Sequence, residues 1–353
     1  MQDHTITNAK AFAIILMVAG HAGAYQIPVL HNLQSFSLMP LFLFCSGYCF
    51  KDKYIAEPIA FIKRRFRSLW WPYVKWSLVF LAFHNLFFDW HIYAANYPCY
   101  DEFIHRYSIN EFCYYGLKII SSMTCHDPLL GGYWFVHTLF YASLISFVVI
   151  KYTTNRGGVM VVTAILVALI LIASYFIVRV PFFDIQSREL MASVFCLTGY
   201  LFQGCGYTIK WKYLFPILIS LIVIAQFWSS SVIYFVWQDV IPYILCAIIG
   251  ILAIINIARM VVKTENLLSR FLIFTGSHTF VILTWHFISF RIVSLMLIFC
   301  LGLPIEELAT HPTIPLKGMW IAYTLVGVGV PLIGVMLWNK LERICQRRLK
   351  INL

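Results

Sequence analysis

Charge is what this sequence has least of. Asp, Glu, Lys and Arg together make up only 12% of its 353 residues, about half the share of a soluble domain. It also lacks a long polar segment in which a separate soluble domain would fit, a low-complexity tract and a detectable internal repeat. CxxC and HExxH spacings are absent, so no metal site is expected. No cleavable signal peptide is evident either, because the first apolar run follows a single basic residue, Lys10.

What is present is hydrophobic. Apolar residues make up 61% of the chain, and the mean hydropathy is +0.80. Ten segments approach the ~20 residues a helix needs to cross hydrocarbon: 9–25, 35–50, 69–88, 132–150, 158–178, 188–206, 213–232, 239–258, 272–297 and 317–338. The expected fold is therefore an all-α polytopic membrane protein of about ten transmembrane helices. It forms a single membrane-embedded domain, 1–353, with a basic tail at 339–353 and both termini cytoplasmic.

The net charge of +11 fits that topology. With the N-terminus inside, all the Lys and Arg but Arg106, Lys118, Arg179, Arg188, Arg291 and Lys317 fall on the cytoplasmic side or at its edge, as the positive-inside rule requires. The basic excess thus reports orientation, and no nucleic-acid partner is implied. Segment 89–131 is the one long external stretch. It is acidic, aromatic-rich and mildly amphipathic near Phe112–Met123, which suggests a structured cap or a short interfacial helix; a wet loop is the plain alternative. Cys99, Cys113 and Cys125 share it, and three cysteines leave at least one unpaired.

Chemistry points to "NAKAFAIILMVAGHAGAY", 8–25. Eleven residues on an α-helix turn about 1100°, within ~20° of three full turns. Lys10 and His21 therefore share a face, about 16 Å apart along the axis, a span comparable to a pantetheine arm. An ionisable group inside a span is a functional candidate. The plain alternative is a snorkelling lysine and a histidine that only bonds a neighbouring helix. In "KRRFRSLWWPY", 63–73, Arg64 and Arg67 would share a helix face, and guanidinium forks suit phosphates.

These motifs resemble those of the acyltransferase-3 family of integral-membrane acyltransferases, in particular its short, sugar O-acetylase-like members. The resemblance is carried in order by Lys10 and His21, by "MPLFLFCSGY" (39–48), "KRRFRSLWWPY", "GGYWFVHTLF" (131–140) and "TGSHTFVILTWHF" (275–287). Lysine stands where arginine is common in the family. The resemblance implies transfer of an acyl group, usually acetyl, from cytoplasmic acyl-CoA to a hydroxyl of a cell-surface or lipid-linked glycan. Acetyl-CoA is then a substrate, with no bound cofactor, and the setting is the bacterial inner membrane. His21 matches the essential histidine, as general base or acyl carrier; Lys10, Arg64 and Arg67 match positions serving the donor's phosphates.

Imidazole titrates where a general base should. Ser46, or backbone N–H groups near Gly47, would supply donors for the oxyanion. Trp134 and His137 are candidates for interface anchors or acceptor contacts, and His286 for an interhelical bond or a substrate contact. Arg188, Glu189 and Asp239 read as solvated span ends. The rival function is a glycan or lipid transporter or flippase; transporters also carry midplane ionisable residues but often show repeated halves. A His-ligated redox protein would want paired histidines on facing helices, and no pairing stands out in the sequence. Direct transfer to the acceptor, with no second catalytic module, is expected.

Overall fold

Polar side chains that compete for backbone carbonyls decide several of the helix ends. The computed structural model describes residues 4–23, 27–93, 105–125, 127–153, 155–176, 179–180, 183, 185–205, 209–262 and 266–351. In chain order its helices are α1 (Thr5–His21), α2 (Pro28–Tyr48), α3 (Lys53–Ala56), α4 (Pro58–Arg65), α5 (Trp71–Ala82), α6 (His84–Asp89), α7 (Ile109–Ser122) and α8 (Tyr133–Tyr152). Then follow α9 (Arg156–Phe176), α10 (Ser187–Leu201), α11 (Trp211–Phe227), α12 (Val240–Val262), α13 (Leu267–Ser277), α14 (Thr279–Leu301) and α15 (Trp320–Ile351). A π-helical turn, Phe66–Trp70, joins α4 to α5. Arg179–Val180 and Ile185–Gln186 pair as a minimal antiparallel hairpin.

Among the described residues, six helices are long and apolar enough to cross a membrane: Val29–Tyr48, Tyr133–Tyr152, Arg156–Phe176, Trp237–Val262, Thr279–Leu301 and Trp320–Gln346. Four other expected spans are shorter or divided. α1 and α11 have 17 residues each and α10 has 15. The segment 69–88 is split between α5 and α6. One of the six, Thr279–Leu301, covers most of the expected span 272–297, whose first turns are cut off at His278. There Thr275, Ser277 and His278 each bond a carbonyl four residues back, at 2.7–2.9 Å; such bonds compete with the helical ladder.

α2 is the central strut, packed against α1, α10, α11 and α12. Its crossing with α10 is closed by two glycines. A Cβ on Gly47 would fall on the Cys196 carbonyl oxygen, and one on Gly199 would fall on that of Phe44. Small residues let membrane helices approach this closely. α14 packs on α15 and touches α1, enclosing a second apolar core with Tyr73, Tyr133, Phe290 and Tyr323.

Glu189 corrects one expectation. It is fully buried, where a solvated position was expected. Its carboxylate takes bonds from Thr138 Oγ1 (2.8 Å), the Gln186 amide (2.8 Å) and Arg188 Nε (2.7 Å). A buried carboxylate needs such partners, and together they tie α8 to the start of α10.

In the segment expected to be external, α7 starts with a capping box between Ser108 and Glu111 and lies against α5. Tyr93 donates to Asp127 at 2.6 Å. Burial holds the Asp127 carboxyl up at about 6. The backbone amide of Ser108, with His105, holds the exposed Glu111 down at about 2. Cys113 and Cys125 are free thiols; Cys99 lies outside the described residues.

Candidate active site

His21 ends α1, and α14 brings His286 against it. His21 Nδ1 lies 3.0 Å from His286 Nε2, and the two rings stack with centroids 5.2 Å apart. His286 Nδ1 lies 2.9 Å from the Leu283 carbonyl oxygen and 3.1 Å from that of Ile282. A carbonyl only accepts, so Nδ1 of His286 carries the hydrogen and Nε2 holds the lone pair. The short contact between the rings then needs a hydrogen from His21 Nδ1. Neutral His21 is left with its lone pair on Nε2. The chain runs one way, from His21 through His286 to the backbone of α14.

Phe287 completes the surround, stacked on His21 at 4.9 Å and against His311 at 4.7 Å. The segment bearing His311 is held from two sides. Arg291 Nη1 donates to the Thr310 carbonyl at 2.6 Å, and Thr313 Oγ1 donates to that of Ala22 at 3.5 Å. Burial keeps the His311 imidazole down at about 3, hence neutral.

His21 opens into a cavity of about 530 Å³, within the range of small-molecule sites. His31, Gln34, Trp134, Ser230, Tyr234 and Pro312 are among the residues around it. Gln34 donates Nε2 to the Leu16 carbonyl at 2.9 Å. A Cβ on Gly20 would meet Gln34 Oε1 at 2.6 Å, so glycine beside His21 makes room for this side chain.

The other expected site residues divide. Trp134 lines the cavity; His137 does not. His137 is buried, with Nε2 donating to the Phe183 carbonyl at 2.9 Å and Nδ1 3.5 Å from Glu189. Ser46 is far from His21. α2 folds back along α1 so that Gln34 meets Leu16 and Gly20; Ser46 lies twelve residues further, about 18 Å along the axis. There Ser46 Oγ accepts from Arg65 Nη2 at 2.9 Å, so this structure does not bring Ser46 to His21.

At that end of α2, Lys10, Arg64, Arg65 and Lys51 all act electrostatically on the Cys49 thiol. Arg64 Nη1 donates to Tyr54 Oη at 2.6 Å. Arg64 and Arg67 are both exposed, with Arg67 on the π-helical turn. Arg65, passed over in the sequence, is the arginine turned inward. None of these basic residues lines the cavity at His21. On the α1 stripe between Lys10 and His21, Ile14 is 3% and Met17 6% exposed.

The sequence marks His286 as a candidate but does not reveal its partner, His21. The signal is a histidine two turns inside a 23-residue apolar helix, where an ionisable group is costly without a partner. Among the described residues, no three His, Cys, Asp or Glu side chains gather to hold a metal ion.

A family model described as an acyltransferase domain matches residues 3–339 of the chain. No curated protein and no solved structure matches it.

Proposed function

As the chain belongs to the acyltransferase-3 family of membrane acyltransferases, we propose that it moves an acetyl group from cytoplasmic acetyl-CoA to a hydroxyl of a cell-surface or lipid-linked glycan in the bacterial inner membrane. The observation that carries this reading is the one-way bond from His21 to His286, which leaves a basic nitrogen on a side chain that faces a roomy cavity.

The acceptor hydroxyl lies against His21 Nε2 and gives up its proton there as its oxygen attacks the thioester carbonyl carbon. A general base of this kind contributes about 10²–10⁴ in rate. The positive charge that develops on His21 is stabilised by the lone pair of His286 Nε2, which stays a hydrogen-bond acceptor. The tetrahedral intermediate collapses with cleavage of the C–S bond. The thiolate takes the proton back from His21, so the products are the sugar ester and CoA with its thiol restored.

Lys10, Arg64 and Arg67 receive the donor's phosphates at the other end of α1, with Arg65 as the inward support of that surface. Ile14 and Met17 lie between the two ends, so passage of the pantetheine arm requires them to move aside. Family membership favours this chemistry over a transporter without acyl transfer.

The test supplies acetyl-CoA labelled in the acetyl group to purified protein, with and without His21→Ala. Transfer to a glycan acceptor by the native protein and its loss in the variant is the expected result. Equal transfer by both removes His21 from the mechanism; glycan movement across vesicles without label transfer favours the transporter.

A further inference from the structure

His21 turns positive in either form of its chemistry. As a base it gains a proton, and as an acyl carrier it gains an acyl group on a ring that keeps its Nδ1 hydrogen. A charge in a closely packed site is costly unless something answers it. Among the described residues no carboxylate bonds His21 or His286, and the bond chain ends on carbonyls. In a Ser-His-Asp triad an aspartate stands at that place and stabilises the imidazolium. The titratable side chains around His21 are His286, then His31 and Tyr234 across the cavity, and His311 beyond Phe287.

What lies against the ring is Phe287. The two planes are 18–21° or less from parallel as a set with His286, and Phe287 itself stands 21° from His21 with centroids 4.9 Å apart. That is within the ~6 Å over which an aromatic face attracts a cation. Phe287 is 3% exposed, and its ring is held from several sides. His311 lies against it at 4.7 Å and His286 at 4.0 Å, and a Cβ on Gly131 would meet its Cε2 at 3.4 Å. Consecutive residues of α14 thus serve one imidazole in different ways, His286 through a lone pair and Phe287 through its π face.

We infer that Phe287 is a positioning residue that acts through His21, its aromatic face stabilising the imidazole as it becomes positive. The inference rests on the acyl-transfer reading for its reaction and adds a residue to it. The face of a phenyl ring is the negative part of its quadrupole, so it attracts the cationic imidazole more than the neutral one. The contact therefore strengthens towards the transition state, which is the condition for accelerating the chemical step. A leucine would fill similar space and exclude water equally, but it would not answer the charge.

The deciding experiment alters the electrons of the ring and leaves its shape nearly intact. Nonsense suppression places mono-, di- or trifluorophenylalanine at position 287 of the full chain. The control is para-methylphenylalanine, bulkier than the monofluoro ring yet electron-rich. The first readout is the rate at which diethyl pyrocarbonate carbethoxylates His21, followed by mass spectrometry. There Nε2 attacks a small electrophile and the ring turns cationic with neither acetyl-CoA nor acceptor present. The rate is expected to fall stepwise with fluorine, about two- to thirtyfold for the trifluoro ring. The methyl ring should stay near native, and the melting temperature should not move. The kcat for acetyl transfer should fall in the same order, with the acceptor KM unchanged. A carbethoxylation rate indifferent to fluorine, or one lowered as much by the methyl ring, would overturn the inference. Graded carbethoxylation with no acetyl transfer by the native protein sinks the acyl-transfer reading alone; acetyl transfer by the native protein with ungraded carbethoxylation sinks the inference alone.

Discussion

His21 and His286, 265 positions apart in the chain, share one hydrogen bond of 3.0 Å, and that bond fixes which nitrogen of His21 carries the proton. His286→Ala removes the acceptor of the Nδ1 hydrogen and frees the other tautomer. Orienting partners of a catalytic histidine are worth a large factor, so kcat is expected to fall about a hundredfold or more with the acceptor KM little changed. Steady-state acetyl transfer by the purified variant measures it. A kcat close to native would assign His286 to packing.

Arg64 and Arg65 are adjacent, yet their substitutions should separate. Arg65→Ala strips Ser46 of its charged partner, and bonds to charged groups contribute about 1.5–3 kcal/mol, so thermal unfolding in detergent should come several degrees earlier. Arg64→Ala lies on the exposed face; the KM for acetyl-CoA should rise and become less sensitive to salt, with stability nearly unchanged. The reverse pattern would exchange their roles.

Gly47 and Gly199 close the α2–α10 crossing, and each sits where a methyl group meets a carbonyl oxygen. Gly47→Ala or Gly199→Ala should cost about 1–3 kcal/mol, the usual penalty for overpacking. Because the helices must part for either one, the double variant should lose less than the sum of the two. Denaturation of all three proteins gives the comparison, and strict additivity would contradict the shared crossing.

Asp127 supplies a pH dependence. Its carboxyl is raised from 3.8 to about 6, so the folded chain holds a proton that the unfolded chain releases. Its contribution to stability is complete below pH ~4, declines as pH rises through about 6 and is constant beyond that. Against the native protein, Asp127→Asn should therefore gain relative melting temperature from pH ~4 to ~6 and hold a constant offset above it. A difference independent of pH would show that Asp127 titrates normally.

How much of this was readable beforehand follows from the range of each interaction. Hydropathy locates the apolar segments because burial is a local average, and helical periodicity places Lys10 and His21 on one face because α1 is continuous. The break at His278 depends on three side chains bonding backward, which composition does not reveal. Ser46 is instructive because hairpin geometry alone excludes it: α2 runs back along α1, so a residue near its far end cannot sit beside His21. Arg65 is hidden among three basic neighbours, Lys63, Arg64 and Arg67, since which of the four turns inward depends on the register between α4 and α2. The His21–His286 contact joins helices at opposite ends of the chain, and nothing within either one encodes the other's position.

The bond chain from His21 stops at the carbonyls of Ile282 and Leu283, atoms with no hydrogen to pass on. A proton arriving at this blind alley has no exit through α14 and must leave by the way it came. Each catalytic round would then be electrically silent for the bilayer. Sealed proteoliposomes working at full turnover should build no membrane potential, although an ionisable pair sits in the heart of the protein.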